Sequence, residues 1–303
     1  MKSTGILKLT TLLLGFLWLT AAGCSKQGNS PEALPQTSDQ TATQAQALPL
    51  VSVQLWSVKD DVKRDFKGTL KALAAMGFDG VEFAGEFGEF AENPVGLKEF
   101  LDENKLKVSG AHLHFDRLSP ENFDATVAFY QAIGCDTLIE AMDKRAWDPE
   151  GVHHVVKDLN LFAEKLAPYN MSIGYHNHAQ EFGDFQGSTY WDIIAKTTSE
   201  NVVLQMDVGW VNYAGKAPAE YVRRYPGRTQ TTHYKIRTHE GTENTTAIIG
   251  QDTSDWSALL TANIDVGGTR WLVVEQEEYP NGMTPMQAVK ASKIGLDGIL
   301  ASH

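Results

Sequence analysis

Short apolar runs recur through residues 51–275, and nearly every one ends in a side chain that can bind a metal or move a proton. Read for periodicity, they predict strands at 51–56, 80–83, 108–114, 137–141, 172–178, 202–208, 232–237 and 271–275. Amphipathic stretches at 62–76, 94–103, 120–133, 151–166, 189–198 and 286–300 predict helices between them. Eight strands with helix-length connections, over about 250 residues, predict an α/β fold of the closed (β/α)8 barrel type. An open doubly wound sheet is the rival. It would gather its ligand groups at one crevice, whereas polar residues here end almost every strand. No phosphate-cradling glycine fingerprint follows the first run, where Gln54, Leu55, Trp56 and Ser57 stand.

The N-terminus reads as an address. Lys2 and Lys8 precede an apolar stretch at 12–22 that is too short for a spanning helix but suits a signal peptide. Ala21, Ala22, Gly23 and Cys24 resemble the lipobox of a bacterial lipoprotein, whose cysteine is lipidated and becomes the mature N-terminus. A plain secretory signal is the alternative. The organisation expected is a signal peptide at 1–23, a flexible tether rich in Ser, Thr, Gln, Pro and Ala at 24–47, and one folded domain at 48–303. Such a protein is exported and lipid-anchored in the cell envelope, facing the periplasm, and meets membrane only through its anchor.

Charge narrows the partners. The chain carries 26 Lys+Arg against 38 Asp+Glu, a formal charge of -12. Residues 1–49 hold three Lys against one Asp and one Glu, so the remainder is more acidic still. Such a body repels phosphodiester backbones and anionic membrane surfaces, so nucleic acid is not an expected partner. With Cys24 assigned to lipid, Cys135 has no disulfide partner, and the domain must stand on its core. The sequence leaves homo-oligomer formation open.

The densest chemistry lies at Ile173–Gly174–Tyr175–His176–Asn177–His178. Side chains two apart on a strand share a face, so both imidazoles are expected side by side where the strand stops, the end at which such barrels build their sites. A pair of hydrogen-bonded core histidines is the plain alternative. Other runs end in Glu82, His112 with His114, Glu140, Asp207, His233 with Lys235, and Glu275.

Several segments together carry a family resemblance: Gln54–Leu55–Trp56–Ser57–Val58, Gly80–Val81–Glu82–Phe83, Gly174 to His178 with Glu181–Phe182, Gln205–Met206–Asp207–Val208–Gly209–Trp210, and Trp271 to Gln276. In this order they resemble the sugar phosphate isomerase/epimerase group of xylose-isomerase-like TIM barrels. That group also includes inosose dehydratases, ketohexose epimerases, and lyases acting on 3-keto-glycosides and C-glycosides. The resemblance implies one divalent ion held by residues ending strands five to eight, here His176, Asp207, His233 and Glu275. Two imidazoles and two carboxylates suit Mn, Co, Zn or Fe. Many epimerases of the group carry Glu where His176 stands, and there that carboxylate is both ligand and base. In this chain the base must be sought elsewhere.

An ion beside a carbonyl stabilises the enediolate formed when the adjacent C–H loses its proton, and a positioned base must accept that proton. His178 is the first candidate and Glu140 the second. Lys235 is placed to steady the developing oxyanion, or else is a solvated rim lysine. Expected substrate contacts are Glu82, His112, His114 and Arg237, with Trp56, Trp210 and Phe83 as aromatic faces for a sugar ring. Core packing of the aromatics and a buried ion pair for Glu82 are the alternatives. The reading is thus a metal-dependent isomerase or epimerase of a small carbohydrate. The alternatives are a lyase or dehydratase that uses the same enolate to expel a β-leaving group, favoured by export, and a non-catalytic sugar-binding lipoprotein. A nuclease on a related barrel is disfavoured by the acidic body.

Overall fold

The computed structural model describes residues 48–239 and 246–303. Cys24, and the signal peptide and tether expected at 1–47, lie outside the described residues. Eight parallel strands follow in chain order: β1 (Leu50–Gln54), β2 (Gly80–Phe83), β3 (Lys107–Leu113), β4 (Thr137–Glu140), β5 (Ser172–His176), β6 (Val203–Asp207), β7 (Thr231–Tyr234) and β8 (Trp271–Val274). Each pairs with its neighbours in sequence, and β8 returns to β1 in the register Leu50↔Trp271 to Val53↔Val274, so the sheet closes and the open-sheet rival is excluded. The connecting helices are α1 (Lys59–Arg64), α2 (Phe66–Ala75), α3 (Pro94–Glu103), α4 (Phe123–Ala132), α5 (Gly151–Leu166), α6 (Tyr190–Thr197), α7 (Val208–Tyr213), α8 (Pro218–Arg224), α9 (Trp256–Ala262) and α10 (Pro285–Ala301).

The strands read as nearly continuous apolar runs because the barrel interior covers one face and helices cover the other. All four residues of β2, β4, β7 and β8 are buried. Helix starts follow local capping chemistry. Asn93 accepts from the Gly96 amide ahead of Pro94, and Thr189 with Asp192, and Thr284 with Gln287, form capping boxes for α6 and α10. Among the described residues no helix is long and apolar enough to cross a membrane.

Three expectations need correction. The apolar pattern overruns several strand ends, so β5 stops at His176 and β7 at Tyr234; His178, Lys235 and Arg237 therefore stand on loops. The single helix expected at 62–76 is two, because Asp65 leaves helical geometry and its carboxylate caps α2 through the Gly68 amide. Helices α7, α8 and α9, which the periodicity did not single out, occupy the β6–β7 and β7–β8 connections.

Candidate metal centre and active site

The barrel interior beneath the C-terminal mouth is polar. Glu82 on β2 is fully buried, and its carboxylate accepts from Gln54 Nε2 at 2.8 Å and Gln205 Nε2 at 2.7 Å, and lies 2.7 Å from His233 Nε2. Burial alone would raise its pKa, but His233 and His112 outweigh burial and hold it below the usual carboxylate range. An ionised Glu82 accepts only, so the Gln205 amide must turn its nitrogen to Glu82 and its oxygen to the histidines. That oxygen stands 2.6 Å from His112 Nε2 and 2.9 Å from His176 Nδ1. Both nitrogens therefore carry protons, and the free lone pair of His176 is on Nε2.

Above this floor, one nitrogen or oxygen from each of His176, Asp207, His233 and Glu275 falls within a set no wider than 4.8 Å. All four side chains are buried. His176 Nε2 lies 3.5 Å from Asp207 Oδ2, and His233 Nδ1 lies 2.8 Å from Glu275 Oε2. Asp207 divides its work. Oδ1 accepts from the Trp210 amide at 2.9 Å and so caps α7, while Oδ2 is buried with no hydrogen-bond partner among the described residues. A pair of hydrogen bonds with Asn177, at 2.9 and 3.1 Å, fixes the Asp207 backbone. A carboxylate oxygen without a hydrogen bond, 3.5 Å from both a free imidazole lone pair and the Lys235 ammonium, is a donor that a cation can use. The mixed nitrogen and oxygen donors fit a divalent transition ion. A metal held by His233 Nδ1 would leave its Nε2–H on Glu82, 2.7 Å away, the outer carboxylate that would hold the ring.

Burial and neighbouring charges set the protonation state of each group. Burial pushes the His176 pKa well down, and His233 and His112 push it further. Burial would also depress His233, but Glu82 and Glu275 outweigh it and hold His233 at about 10. Burial lifts Asp207 to about 6 against the pull of Lys235. Lys235 Nζ sits 3.2 Å from Glu275, 3.5 Å from Asp207 and 2.5 Å from Glu277, and these carboxylates overcome burial to keep its pKa above the usual lysine value. Lys235 is thus a buried ammonium, and the solvated-rim alternative is excluded.

His178 stands just outside the cluster, its ring 5.2 Å from His176 and 5.6 Å from Trp210. Its amide donates to buried Glu181 at 2.9 Å, and Tyr175 donates to the other oxygen of that carboxylate at 2.8 Å. Nδ1 is buried with no hydrogen-bond partner among the described residues. Burial, then Lys235, lowers its pKa to about 4, so the ring is neutral at pH 7.

A cavity of about 930 Å³ opens over these groups. Trp56, His112, His114, His176, His178, Trp210, Lys235 and Glu275 line it. Other expected site residues lie elsewhere. Glu82 is sealed in the floor, so the buried ion pair replaces the expected sugar contact; Phe83 is core. Glu140 is buried off the cavity, 2.7 Å from His114 Nδ1 and accepting from the Phe115 amide at 2.7 Å, which makes it a holder of His114 and not a base facing substrate. Arg237 stacks on Trp210 and pairs with Glu278 at 3.5 Å, outside the cavity lining.

Four residues did not enter the expected site. Gln205, Asn177 and Glu181 stand within or beside the quoted segments, but nothing in their spacing marks them as holders of other side chains. Glu277 lines the cavity and bridges Lys235 to Trp56 Nε1, and its place two residues beyond Glu275 was a readable signal.

Residues 70–297 match the family model of the xylose isomerase-like TIM barrel, and the chain belongs to that family. An inosose dehydratase of Geobacillus kaustophilus (strain HTA426) is 23% identical over 271 residues, which span 76% of this chain and 86% of that protein. A sugar phosphate isomerase/epimerase from Parabacteroides distasonis superposes with a TM-score of 0.70 at 20% identity, over 84% of this chain and 97% of that one. The IOLI protein with a binding zinc atom does so with a TM-score of 0.63 at 14% identity, over 84% and 98%. At these identities the two solved structures share the fold with this chain.

Proposed function

We propose that this member of the xylose isomerase-like barrel family is a divalent-metal-dependent carbohydrate enzyme that removes a proton from the carbon beside a substrate carbonyl. One observation carries the reading: adjacent imidazoles at the end of β5 have opposite surroundings. His176 is fixed by Gln205 with its lone pair toward Asp207, and His178 stands neutral on the cavity wall. When bound by His176, Asp207, His233 and Glu275, a divalent ion supplies a Lewis acid that lowers the cost of deprotonation beside the carbonyl. His178 takes the proton, and Lys235 offers a fixed positive charge to the oxygen on which negative charge grows. Trp56 and Trp210 add aromatic surface to the cavity lining. Return of the proton to the former carbonyl carbon, with the hydroxyl proton passing from one oxygen to the other, isomerises the sugar; return to the opposite face of the same carbon epimerises it. The zinc of the IOLI protein and the sugar chemistry named for the other relatives support the reading.

Elimination is the second reading, favoured by the Lys235–Glu277 pair on the cavity wall. Here the C–H bond beside the carbonyl breaks, with its proton passing to His178. A carbon–carbon double bond forms and the C–O bond on the next carbon breaks. The leaving oxygen, with the Lys235 ammonium beside it, takes the proton that His178 has accepted and departs as a hydroxyl compound. The dehydratase relative carries a name consistent with this course.

Incubating the metal-loaded protein with 3-keto-glucosides and with free ketoses, while NMR follows both sets of products, tests the proposal. Turnover of either class that disappears in Asp207→Ala together with bound metal is the expected result. Metal-independent turnover, or none with either class, contradicts it.

A further inference from the structure

Isomerisation of a sugar moves two protons. One leaves carbon and returns to carbon, and the proposed chemistry gives it to His178. The other leaves the hydroxyl beside the carbonyl and must arrive on the former carbonyl oxygen. A neutral imidazole has one lone pair and one N–H, so while His178 holds the carbon proton it has no lone pair for the second. Lys235 has none either, because three carboxylates hold it as an ammonium.

Four imidazoles line the cavity, those of His112, His114, His176 and His178. His176 is a candidate ligand, and His112 gives its Nε2–H to Gln205 at 2.6 Å in the floor. His114 differs from the other three. It follows Leu113, the last residue of β3, and 62% of its side chain is exposed. Behind it stands buried Glu140, with one oxygen 2.7 Å from His114 Nδ1. That carboxylate also accepts from the Phe115 amide at 2.7 Å and from the Met142 amide at 3.3 Å. With backbone donors on both oxygens, Glu140 faces the ring as an acceptor, so Nδ1 carries the proton and Nε2 keeps a lone pair. Among the described residues Nε2 has no hydrogen-bond partner. An accessible imidazole nitrogen, with a buried carboxylate fixing the tautomer from behind, is the arrangement that orients a base for proton transfer.

We propose that His114, oriented by Glu140, is a second acid–base residue that carries the proton between the two substrate oxygens. The proposal rests on the reading of this site as a sugar isomerase. Nε2 accepts the proton of the hydroxyl beside the carbonyl as that carbon becomes the new carbonyl, and Nε2–H then passes to the former carbonyl oxygen. His178 returns the carbon proton to the former carbonyl carbon. One carbon is oxidised as its neighbour is reduced, so no outside oxidant enters, and both histidines end neutral.

The test follows two rates by NMR in full-length, metal-replete protein supplied with D-fructose, D-xylulose or D-ribulose in deuterated water. One is deuterium entering the carbon beside the carbonyl of recovered ketose, and the other is formation of the aldose. His114→Gln should leave exchange within a factor of about three while slowing aldose formation about 10²- to 10⁴-fold. Glu140→Gln keeps an oxygen for the Phe115 amide and turns its N–H to His114 Nδ1, so it should show the same split. Nitrogen NMR of labelled histidine should find the neutral His114 ring protonated at Nδ1 in the wild type and at Nε2 in Glu140→Gln. The exposed position of His114 lets its substitution carry the test even if Glu140→Gln does not fold. A wild-type ring protonated at Nε2, the two rates falling together in His114→Gln, or neither rate changing would each overturn the role of His114. Wild-type exchange without aldose would overturn it too, while leaving deprotonation intact. Wild-type protein that neither exchanges nor isomerises any of the three would instead remove the deprotonation reading, and the role of His114 with it.

Discussion

At the scale of single residues, hydrogen-bond logic more than proximity assigns the roles. Gln205 was not among the expected site residues, yet it is the group that fixes which nitrogen of His176 is free. Gln205→Leu removes that constraint, and outer partners of metal-bound histidines are typically worth about 10- to 100-fold in metal affinity. Metal affinity in this variant should fall by about that factor while the fold, followed by circular dichroism, is retained. Proton release is a second consequence. His233, held at about 10, must lose its proton to bind metal through Nδ1, whereas Asp207, at about 6, is already ionised above that pH. Between about pH 7 and 9, metal uptake should release about one proton and tighten about tenfold per pH unit. Below about pH 6 a second proton, from Asp207, should appear. Calorimetry in buffers of different ionisation enthalpy counts these protons, and pH-independent affinity would contradict the assignment.

Among the elements, β5 is the most constrained. A Cβ at Gly174 would meet Ile139 Cδ1 at 2.5 Å and the Val203 carbonyl oxygen at 2.7 Å, so only glycine lets β5 sit between β4 and β6. Gly174→Ala should cost about 1–3 kcal/mol, read as a lowered urea midpoint, and should disturb His176 two residues on. Strand positions were legible because each element is buried on both faces and stands out as an apolar run. Strand ends were less so: Val208 and Ile236 continue the apolar pattern past the last ladder bond, since loops at the mouth are themselves packed. The same packing brings His178 beside His176 although β5 has ended. Helices α7 to α9 are only six or seven residues long, too short for a helical period to declare itself. The family resemblance singled out His176, Asp207, His233 and Glu275, and they cluster because strand-end residues converge in any closed barrel. The buried roles of Glu82 and Glu140 could not, because they depend on partners across the barrel, His233 for one and His114 for the other.

For the whole molecule, closure of the sheet turns eight separate strand ends into one mouth. The four candidate ligands, His176, Asp207, His233 and Glu275, come from one half of it. Attachment of this body to a membrane is proposed on the Cys24 motif alone. Two-chain anchors hold stably where a single acyl chain is marginal, so Cys24→Ser should move the protein out of the membrane fraction and abolish palmitate labelling. Retention of both would overturn the motif.

The central claim is that His176 serves the metal and His178 the proton. It is tested most directly by NMR of solvent deuterium entering the carbon beside the carbonyl of a turned-over 3-keto-glucoside, comparing metal-replete wild type with metal-replete His178→Asn. Asparagine keeps a polar side chain of similar reach but accepts no proton near neutral pH. The account predicts full metal occupancy in the variant, with exchange slowed about 10²- to 10⁴-fold. Exchange at the wild-type rate in His178→Asn would contradict it.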